Sequence, residues 1–412
     1  MIQRTLSAKL MALARKYPVV LLTGPRQSGK TTLCRAVFPN KPYVLFETPN
    51  VREFAEQDPA GFLGTYSKGA VFDEVQRVPK LLSYLQGIVD ERKKNGLYIL
   101  TGSQNLDLLK SVQQSLAGRV ALLRLLPLSM KELGLRVEKF STDKILYTGF
   151  YPRLYDRKLN PTEEMSNYVA TYLERDVRQI VTVRSLSLFQ KFLKICAGRI
   201  GQLLNLSTLG NDLGLSHTTA REWLSVLEAS YIVYLLPAYY RNFNKRLTKA
   251  PKLYFYDTGL AAYLLGIEKP AQCARDPLRG ALFENFIVME ILKRFWNDGE
   301  NAPLYYFRDN AGNEVDLLIE KTRKVVGVEI KAGETINRDW FKGLMYLEKV
   351  MGKNILARHL VYGGHASERR EGIRAVSYRR LSEISFSGTF PNVPGLSNDT
   401  DKNKPVKKIE IV

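Results

Sequence analysis

Eight residues near the start of the chain have the types and the spacing of a phosphate-binding loop. The segment GPRQSGKT (24–31) matches the pattern G-x-x-x-x-G-K-[ST], with an apolar run before it and a helical pattern after it. Glycines at both ends of the loop let successive backbone N–H groups turn inward and hold phosphate oxygens. We expect Lys30 to reach the β- and γ-phosphates of ATP and Thr31 to ligate Mg²⁺. The residues predicted to contact the nucleotide are Gly24, Pro25, Arg26, Gln27, Ser28, Gly29, Lys30, Thr31 and Thr32.

Two acidic residues follow an apolar segment one strand–helix–strand unit farther along the chain. In GAVFDEVQRVP (69–79) the apolar run ends at Asp73 and Glu74. Next to a phosphate loop, Asp73 is expected to hold Mg²⁺ through water, and Glu74 to polarise the attacking water as a general base. The alternative is a pair of solvated carboxylates at a strand end, which the loop upstream disfavours.

A third apolar run ends in polar residues. The segment LYILTGSQN (97–105) predicts a strand that ends just before Ser103. Such a position can place a polar side chain between the attacking water and the γ-phosphate, so Ser103 is a further candidate catalytic residue.

A second set of candidate residues lies near the end of the chain, in GNEVDLLIEKTRKVVGVEIKAGE (312–334). Alternation along a strand places Glu329 and Lys331 on one face, and a hairpin over 315–331 would bring Asp316 beside them. Two carboxylates and a lysine form a Mg²⁺ site suited to phosphodiester hydrolysis, to which Glu284 can add a third carboxylate. The alternative is a strand hairpin with charged edges.

The elements that position these residues follow from hydrophobic periodicity. Apolar runs alternate with helical patterns over the first third of the chain, which predicts a parallel α/β sheet. The pattern turns helical from about residue 160 and returns to mixed α/β from about 280. The predicted strands of the first sheet are 19–24, 43–47, 70–74, 97–102 and 120–128.

The middle of the chain has helix-turn-helix spacing. Helices are predicted over 207–214 and 216–230, with Gly214 at the turn and Ser216 as the N-cap, and 231–257 can form the β-wing of a winged helix. The second helix would then enter the major groove of DNA and the wing would touch phosphates. The alternative is a packing module between two other domains. The residues predicted to face bases are His217, Thr218, Thr219 and Arg221, and those at the wing tip are Arg241, Lys245, Arg246 and Lys249.

The composition of the chain indicates what kind of partner it binds and in which cell compartment it is found. The 412 residues carry a formal charge of +20 and a pI near 9.7, which favours an anionic partner, DNA above all, over a protein that is merely basic. The three cysteines are far apart and form no metal or disulfide pattern. With no signal-peptide core and no apolar run of membrane-spanning length, we expect a cytoplasmic protein with no membrane partner.

The order of these motifs resembles that of the AAA+ ATPases, with Walker A, Walker B and sensor 1 in sequence. The segments SLAGRV (115–120), LLPLSMKEL (125–133) and GFYPRLYD (149–156) are similar to those of bacterial and archaeal AAA+ proteins that pair the ATPase with a C-terminal region called DUF4143. The resemblance extends to about residue 385. It implies that Arg119 is an arginine finger or sensor arginine and that Arg153 senses the nucleotide state, although either can equally be a structural ion pair.

Two further features qualify the resemblance. Where relatives often have an acidic LEDP-like turn, this chain reads LFETPN (45–50). The E–VD–ExK spacing of the C-terminal acids resembles the PD-(D/E)xK nuclease core, a restriction-endonuclease-like fold, and such a fold does not by itself establish cleavage.

We therefore predict an α/β chain with a P-loop (AAA+) parallel sheet, a helical winged-helix-like middle and a restriction-endonuclease-like α/β C-terminal domain. The expected activity is Mg²⁺-dependent ATP hydrolysis with DNA binding and an ATP-regulated nuclease domain. The alternative is an ATP-driven switch that binds DNA or a protein partner without cleaving nucleic acid. An arginine finger favours a homo-oligomer, although a finger within one subunit is equally open. The predicted regions are the ATPase domain 1–135, a helical linker 136–185, a winged-helix-like region 186–265, the nuclease-like domain 275–385 and a flexible tail 390–412.

Overall fold

The computed structural model describes residues 2–102, 112, 114–173, 186–240 and 249–384. The predicted tail at 390–412 lies outside these residues.

The first part of the chain folds into a parallel five-stranded sheet. Its strands are β1 (Val19–Thr23), β2 (Tyr43–Leu45), β3 (Ala70–Asp73), β4 (Tyr98–Gly102) and β5 (Val120–Arg124). The spatial order is β2–β3–β4–β1–β5, and every neighbouring pair is parallel. The carboxyl ends of the strands therefore meet at one edge, where open α/β sheets bind their ligands.

Helices cover both faces of this sheet because alternate strand residues point to opposite sides. On one face, Val20 and Leu22 of β1 pack in a hydrophobic cluster with the first two helices of the chain. On the other face, Val19 and Leu21 pack in a second cluster with the next three helices. The helices are α1 (Leu6–Ala14), α2 (Lys30–Val37), α3 (Pro49–Gln57), α4 (Pro59–Thr65) and α5 (Leu81–Arg92).

The middle of the chain is mostly helical. Its helices are α6 (Met130–Leu133), α7 (Leu135–Glu138), α8 (Thr142–Thr148), α9 (Pro152–Asp156), α10 (Pro161–Tyr168), α11 (Leu186–Gly198), α12 (Leu206–Asn211), α13 (His217–Ala229), α14 (Thr258–Leu264) and α15 (Pro270–Cys273), with a π-helical turn at Val169–Leu173. Strands β6 (Val233–Leu236) and β7 (Lys252–Phe255) pair antiparallel.

The last part of the chain is a mixed six-stranded sheet between helices. Its elements are α16 (Arg279–Asn297), β8 (Leu304–Arg308), β9 (Glu314–Lys321), β10 (Lys324–Lys331), α17 (Lys342–Met351), β11 (Ile355–Tyr362), β12 (Glu368–Arg370) and β13 (Ile373–Ser377), with 3₁₀ turns at Arg338–Phe341 and Tyr378–Glu383. The order is β12–β13–β11–β10–β9–β8, with parallel pairs in the centre and antiparallel pairs at both sides.

One hydrophobic core joins the middle of the chain to the C-terminal sheet. It contains Ile2 and residues from Leu126 to Ile384, and it includes residues on most sides of α16, as expected of a helix buried between two layers. The other face of the C-terminal sheet packs on α17 in a separate cluster. The regions after the ATPase sheet are therefore not separate packed bodies.

The predicted fold class is confirmed in its main features: a parallel sheet with helices on both faces comes first and a mixed sheet comes last. The winged-helix and nuclease-like details stay predictions.

Candidate functional site

The loop between β1 and α2 has the backbone of an anion cradle. Gly24 has φ +152°, and a Cβ there would lie 2.1 Å from the carbonyl oxygen of Leu125. Gly29 has φ +93° and precedes the first residue of α2. Between them, Gln27 adopts a left-handed conformation at φ 60°, and both the Oε1 of Gln27 and the Oγ of Ser28 are buried without a hydrogen-bond partner. Buried polar atoms without partners indicate room for a polar ligand.

Lys30 begins α2 and turns back over the loop. Its Nζ donates to the carbonyl oxygens of Gly24 (2.9 Å) and Pro25 (2.8 Å). Burial lowers the pKa of Lys30, while Glu74 and Asp73 act in the opposite direction. The ammonium group is thus held inside the loop, where it can exchange carbonyl oxygens for phosphate oxygens.

Asp73, at the end of β3, accepts hydrogen bonds from three hydroxyl groups. The Oγ1 of Thr31 donates to its Oδ2 at 2.6 Å, which joins the two residues predicted to hold Mg²⁺. Tyr43 donates to the same oxygen and Thr101 to Oδ1. The two strands beside β3 thus supply the last two hydroxyls, and Asp73 is fixed in orientation.

Glu74 lies at the sharp turn after β3. It adopts φ 60° and ψ 44°, a left-handed conformation that costs a non-glycine residue free energy and is enriched at active sites. Its carboxylate accepts a hydrogen bond from Gln76. Ser103, the remaining predicted residue at this sheet edge, lies outside the described residues.

Arg119 lies at the opposite edge of the sheet from the phosphate loop. It precedes β5, and its carbonyl oxygen accepts from the backbone N–H of Val19, the first residue of β1. Its guanidinium forms a bidentate ion pair with Asp90, at 2.5 and 2.7 Å, on the protein surface. The structure therefore does not bring Arg119 to the nucleotide site of its own chain, because the full length of β1 separates them.

Arg153 belongs to a segment that contacts the phosphate loop. Its neighbour Pro152 lies 4.0 Å from the position that a Cβ on Gly29 would occupy. Arg153 itself pairs with the buried carboxylate of Glu164 at 3.0 Å, and 41% of its side chain is exposed. The structure places it near the loop but in an ion pair.

Arg4 supports the loop from beneath and was missed by sequence reasoning. Its Nη1 donates to the Ser28 carbonyl oxygen and its Nη2 to that of Leu126, each at 2.6 Å, and its Nε pairs with Glu132 at 3.1 Å. The sequence carries no signal for this contact, since Arg4 lies upstream of the first helix, outside any motif.

Other residues around the nucleotide site were also missed. Glu47, in the LFETPN turn, lies between Arg26 (4.0 Å) and Arg77 (3.9 Å), so the turn retains an acidic group facing the loop. The hydroxyl groups of Thr23 and Tyr231 lie 2.9 Å apart and are buried. The last residue of β1 is thereby bonded to the middle region, at the turn that follows α13.

Of the two predicted middle helices, α12 ends at Asn211, three residues earlier than predicted, whereas α13 lies within the predicted 216–230. The Oγ of Ser216 caps α13 by accepting from the Thr219 N–H at 3.1 Å, and Gly214 has φ 65° at the turn. His217 and Arg221 are exposed on one side of α13. The opposite side of α13 is buried. Of the other predicted DNA-facing residues, Thr218 and Lys249 are exposed, Thr219 is half-buried, and Arg241, Lys245 and Arg246 lie outside the described residues.

The C-terminal triad is brought together as the hairpin predicts. The Nζ of Lys331 lies 2.5 Å from Glu329 Oε1 and 3.2 Å from Asp316 Oδ2. Asp316 also accepts from the backbone N–H of Ile330 at 2.8 Å. Burial, followed by the neighbouring Asp316, raises the pKa of Glu329 to about 8. Burial opposes the charged form of Lys331, but the two carboxylates together hold its pKa above the ordinary range.

The carboxylate of Glu284, predicted to be a metal ligand, already accepts hydrogen bonds from two other side chains. Its Oε1 accepts from Lys252 Nζ at 3.1 Å and from the Tyr254 hydroxyl at 2.5 Å. Burial, followed by Asp316, raises the pKa of Glu284 to about 7. Lys252 also pairs with Glu314 at 2.5 Å. Lys252 and Tyr254 belong to β7 of the middle region, and sequence reasoning missed both.

The residues present at the two sites differ in how they suit Mg²⁺. At the phosphate loop, a hydroxyl and a carboxylate are already 2.6 Å apart, a donor set typical of Mg²⁺ beside phosphates. At the C-terminal site the Oε2 of Glu329 is buried without a hydrogen-bond partner, and Lys331 joins the other oxygen of Glu329 to the carboxylate of Asp316. In the ranges that the structure describes, no three His, Cys, Asp or Glu side chains are grouped so as to hold a metal ion.

The described helices include none with the length and apolar character needed to cross a membrane.

Three families match the chain in turn. The AAA domain matches residues 16–134, a domain of unknown function (DUF8612) matches 139–271, and another (DUF4143) matches 279–381.

Three relatives match across much of the chain. The uncharacterized proteins Rv2008c of Mycobacterium tuberculosis and Mb2031c of Mycobacterium bovis are each 32% identical over 351 residues, which span 84% of this chain and 78% of the relative. The uncharacterized protein MJ1544 of Methanocaldococcus jannaschii is 24% identical over 294 residues, or 65% of this chain and 62% of that protein.

Solved structures show more distant likeness. The Walker-type ATPase PABY2304 of Pyrococcus abyssi has a TM-score of 0.43 and 16% identity, covering 64% of this chain and 96% of its own. AMPPCP-bound DnaA from Aquifex aeolicus has a TM-score of 0.29 and 15% identity, covering 54% of this chain and 85% of its own.

Proposed function

We propose that this chain, which belongs to the family of AAA-domain P-loop ATPases with a C-terminal DUF4143 region, binds ATP with Mg²⁺ and hydrolyses it at the carboxyl edge of its parallel sheet. The observation that carries the proposal is the hydrogen bond between Thr31 and Asp73, beside the buried ammonium of Lys30. These three groups are the ones that P-loop enzymes use for the metal and the terminal phosphates.

Each residue has a defined task in this proposal. The loop N–H groups and Lys30 bind the phosphates and offset their charge. Thr31 and Asp73 would hold Mg²⁺, which draws charge away from the transferred phosphoryl group. Glu74, on its sharp turn after β3, orients the attacking water and accepts its proton.

Steady-state ATP hydrolysis tests this assignment. Lys30→Ala is expected to abolish turnover, and Glu74→Gln to abolish turnover while nucleotide binding persists. Lys16→Ala is the matched control, because Lys16 is an exposed lysine remote from the loop. Turnover at the control rate in a folded Lys30→Ala protein would refute the phosphate-loop assignment.

DNA is the proposed macromolecular partner. The net charge of +20 and the exposed side of α13, with His217 and Arg221, support it. Affinity for a labelled duplex, measured at several salt concentrations, is expected to fall steeply with salt because bound counterions are released. Arg221→Ala together with Lys249→Ala should weaken binding. A flat salt dependence would favour a protein partner instead.

Metal-dependent cleavage of nucleic acid is a second candidate function. The convergence of Asp316, Glu329 and Lys331 favours it, because two carboxylates can hold Mg²⁺ while the lysine orients water or offsets charge. Supercoiled plasmid is incubated with Mg²⁺ or Mn²⁺, with and without ATP, beside Asp316→Ala, Lys331→Ala and Lys30→Ala. Nicking that disappears in the first two variants would establish a nuclease, and the third would show whether ATP controls it. DNA binding without nicking would establish the alternative, an ATP-driven switch that cleaves nothing.

A further inference from the structure

A lysine from the middle region is buried inside the C-terminal acidic site. Lys252 is the first residue of β7, and only 3% of it is exposed. It lies opposite Leu236 of β6 in the small antiparallel sheet and also forms a β-bridge with Leu203. A buried ammonium is costly unless anionic partners surround it. The partners of Lys252 come from another part of the chain.

Two carboxylates hold this ammonium. Lys252 Nζ lies 2.5 Å from Glu314 Oε1 on β9 and 3.1 Å from Glu284 Oε1 on α16. Tyr254, on the same face of β7, donates its hydroxyl to the same Glu284 oxygen at 2.5 Å. Strand β7 thus supplies two hydrogen-bond donors to Glu284. Glu284 is the carboxylate that was predicted to be the third metal ligand of the site.

The rest of the acidic site is arranged around a second ammonium. Lys331 bridges Glu329 and Asp316. The buried Oε2 of Glu329 has no hydrogen-bond partner and marks the point where the site accepts a further cationic or protic group. Two lysines therefore hold the carboxylates of the site: Lys331 of β10, whose side chain is 32% exposed, and the buried Lys252 of β7.

We propose that Lys252 is a built-in cation that holds Glu284 and Glu314 in the place of a divalent cation, so that a divalent cation engages Glu284 only when this ammonium leaves the carboxylate. The contact makes the middle region an inhibitor of metal loading. This inference builds on the acidic site of the second candidate function, but it concerns cation access and not cleavage.

Mn²⁺ binding to the full chain tests the proposal. Free Mn²⁺ is measured by electron paramagnetic resonance without nucleotide, in an Asp73→Asn background that silences the phosphate-loop site. Lys252→Gln is expected to bind Mn²⁺ at least about tenfold more tightly than the background protein, because a positive charge beside the carboxylates is removed. Adding Glu284→Gln should abolish the gain. Lys324→Gln, which changes an exposed lysine at the start of β10, is the matched control.

A second variant covers the case in which Lys252→Gln does not fold. Tyr254→Phe keeps the buried ring, frees Glu284 of one donor, and is expected to give a smaller gain that also requires Glu284. Mn²⁺ affinity equal to that of Lys324→Gln in the folded Lys252→Gln protein would overturn the proposal. If only Tyr254→Phe folds, the absence of a gain in that variant would overturn it.

The readout separates this inference from the nuclease proposal. Tighter Mn²⁺ binding in Lys252→Gln, with no cleavage of plasmid by any variant, would support the inhibitory lysine and refute the nuclease. Plasmid cleavage by the wild type, with the same Mn²⁺ affinity in Lys252→Gln as in the background protein, would support the nuclease and refute the inhibitory lysine.

Discussion

Asp73 is held by more partners than its motif predicts. Thr31 belongs to the expected set, but Tyr43 and Thr101 reach the carboxylate from β2 and β4. Groups that hydrogen-bond to a metal-binding carboxylate fix the direction and the basicity of that carboxylate. Their loss therefore weakens metal binding. Burial and then Asp73 raise the pKa of Tyr43, so its hydroxyl stays a proton donor across the physiological range.

Removal of the Tyr43 hydroxyl is expected to weaken the use of Mg²⁺. In Tyr43→Phe, the Mg²⁺ concentration for half-maximal ATP hydrolysis should rise by about tenfold, the lower range for the loss of an outer-shell partner. The measurement is a Mg²⁺ titration of turnover at fixed ATP, with Tyr17→Phe, an exposed tyrosine, as the control. A Mg²⁺ curve identical to that of the control would exclude this role for Tyr43.

His359, on β11, predicts a loss of stability in acid. The side chain is fully buried, neither ring nitrogen has a hydrogen-bond partner, and burial, followed by Arg374 and Arg369, lowers its pKa from 6.5 to about 4. Between these values the unfolded chain binds a proton that the folded chain excludes. Stability is therefore full above pH 6.5 and falls as the pH drops toward 4, by about 3 kcal/mol in total.

Thermal unfolding from pH 7.5 to 4.5 checks this pH dependence. His359→Leu should flatten the decline, whereas His365→Leu, which changes an exposed histidine, should leave it as it is. An equally steep decline in both variants would assign the acid sensitivity to other groups.

At the scale of elements, the segment before α1 is part of the nucleotide site. Arg4 joins it to the phosphate loop at Ser28 and to the end of the sheet at Leu126, while Glu132 offsets its charge. Burial lowers the pKa of Arg4, and Glu132 counteracts part of this effect. The loop is thus positioned from outside its own motif.

Loss of the Arg4 side chain is expected to loosen the loop. Arg4→Met should weaken the binding of a fluorescent ATP analogue by about tenfold, or about 1.4 kcal/mol, because the Ser28 carbonyl loses its anchor. Arg15→Met, an exposed arginine just past the same helix, is the control. Affinities within twofold of each other in the two folded variants would show that Arg4 serves stability alone.

Local patterns predicted the elements, but not the contacts between distant ones. The buried runs of β1, β3 and β4 are apolar and end in glycine or acidic residues, so burial and turn chemistry reveal them without tertiary information. The hairpin of β9 and β10 is equally local, and it brought Asp316 to Lys331 as expected. Lys252 and Glu284 are 32 residues apart and carry no shared pattern, so only the packed fold joins them.

Arg119 shows the same limit in another way. Its motif indicates a role with nucleotide, but its place depends on where β5 lies in the sheet order and at which end the chain enters it. Neither can be read from spacing. The result is an arginine on the surface, bound to Asp90, at the edge remote from its own phosphate loop.

At the scale of the whole molecule, this position calls for a second copy of the chain if Arg119 acts on ATP. An arginine at the far edge can reach only the nucleotide of a neighbouring subunit. Arg119→Ala is then expected to lower ATP turnover by about a thousandfold, the lower range for an arginine finger.

Mixing of inactive variants tests the arrangement. Arg119→Ala has an intact phosphate loop and Lys30→Ala an intact Arg119, so a mixture should regain activity that neither has alone. Asp90→Asn breaks the surface ion pair but keeps the arginine, and should retain turnover. Wild-type turnover in Arg119→Ala, or no recovery on mixing, would assign Arg119 to a structural ion pair.

The burial of Lys252 has a consequence for how the chain can be divided. A fragment containing only the DUF4143 region, from residue 279 onward, would keep Glu284 and Glu314 but lose the ammonium and the hydroxyl that hold them. It would also lose part of the single core that contains residues from Leu126 to Ile384. In such a fragment Glu284 would lose both of these donors, whereas Glu314 would keep only its ion pair with Arg308. The C-terminal region is therefore not a transferable module, and its chemistry belongs to the undivided chain.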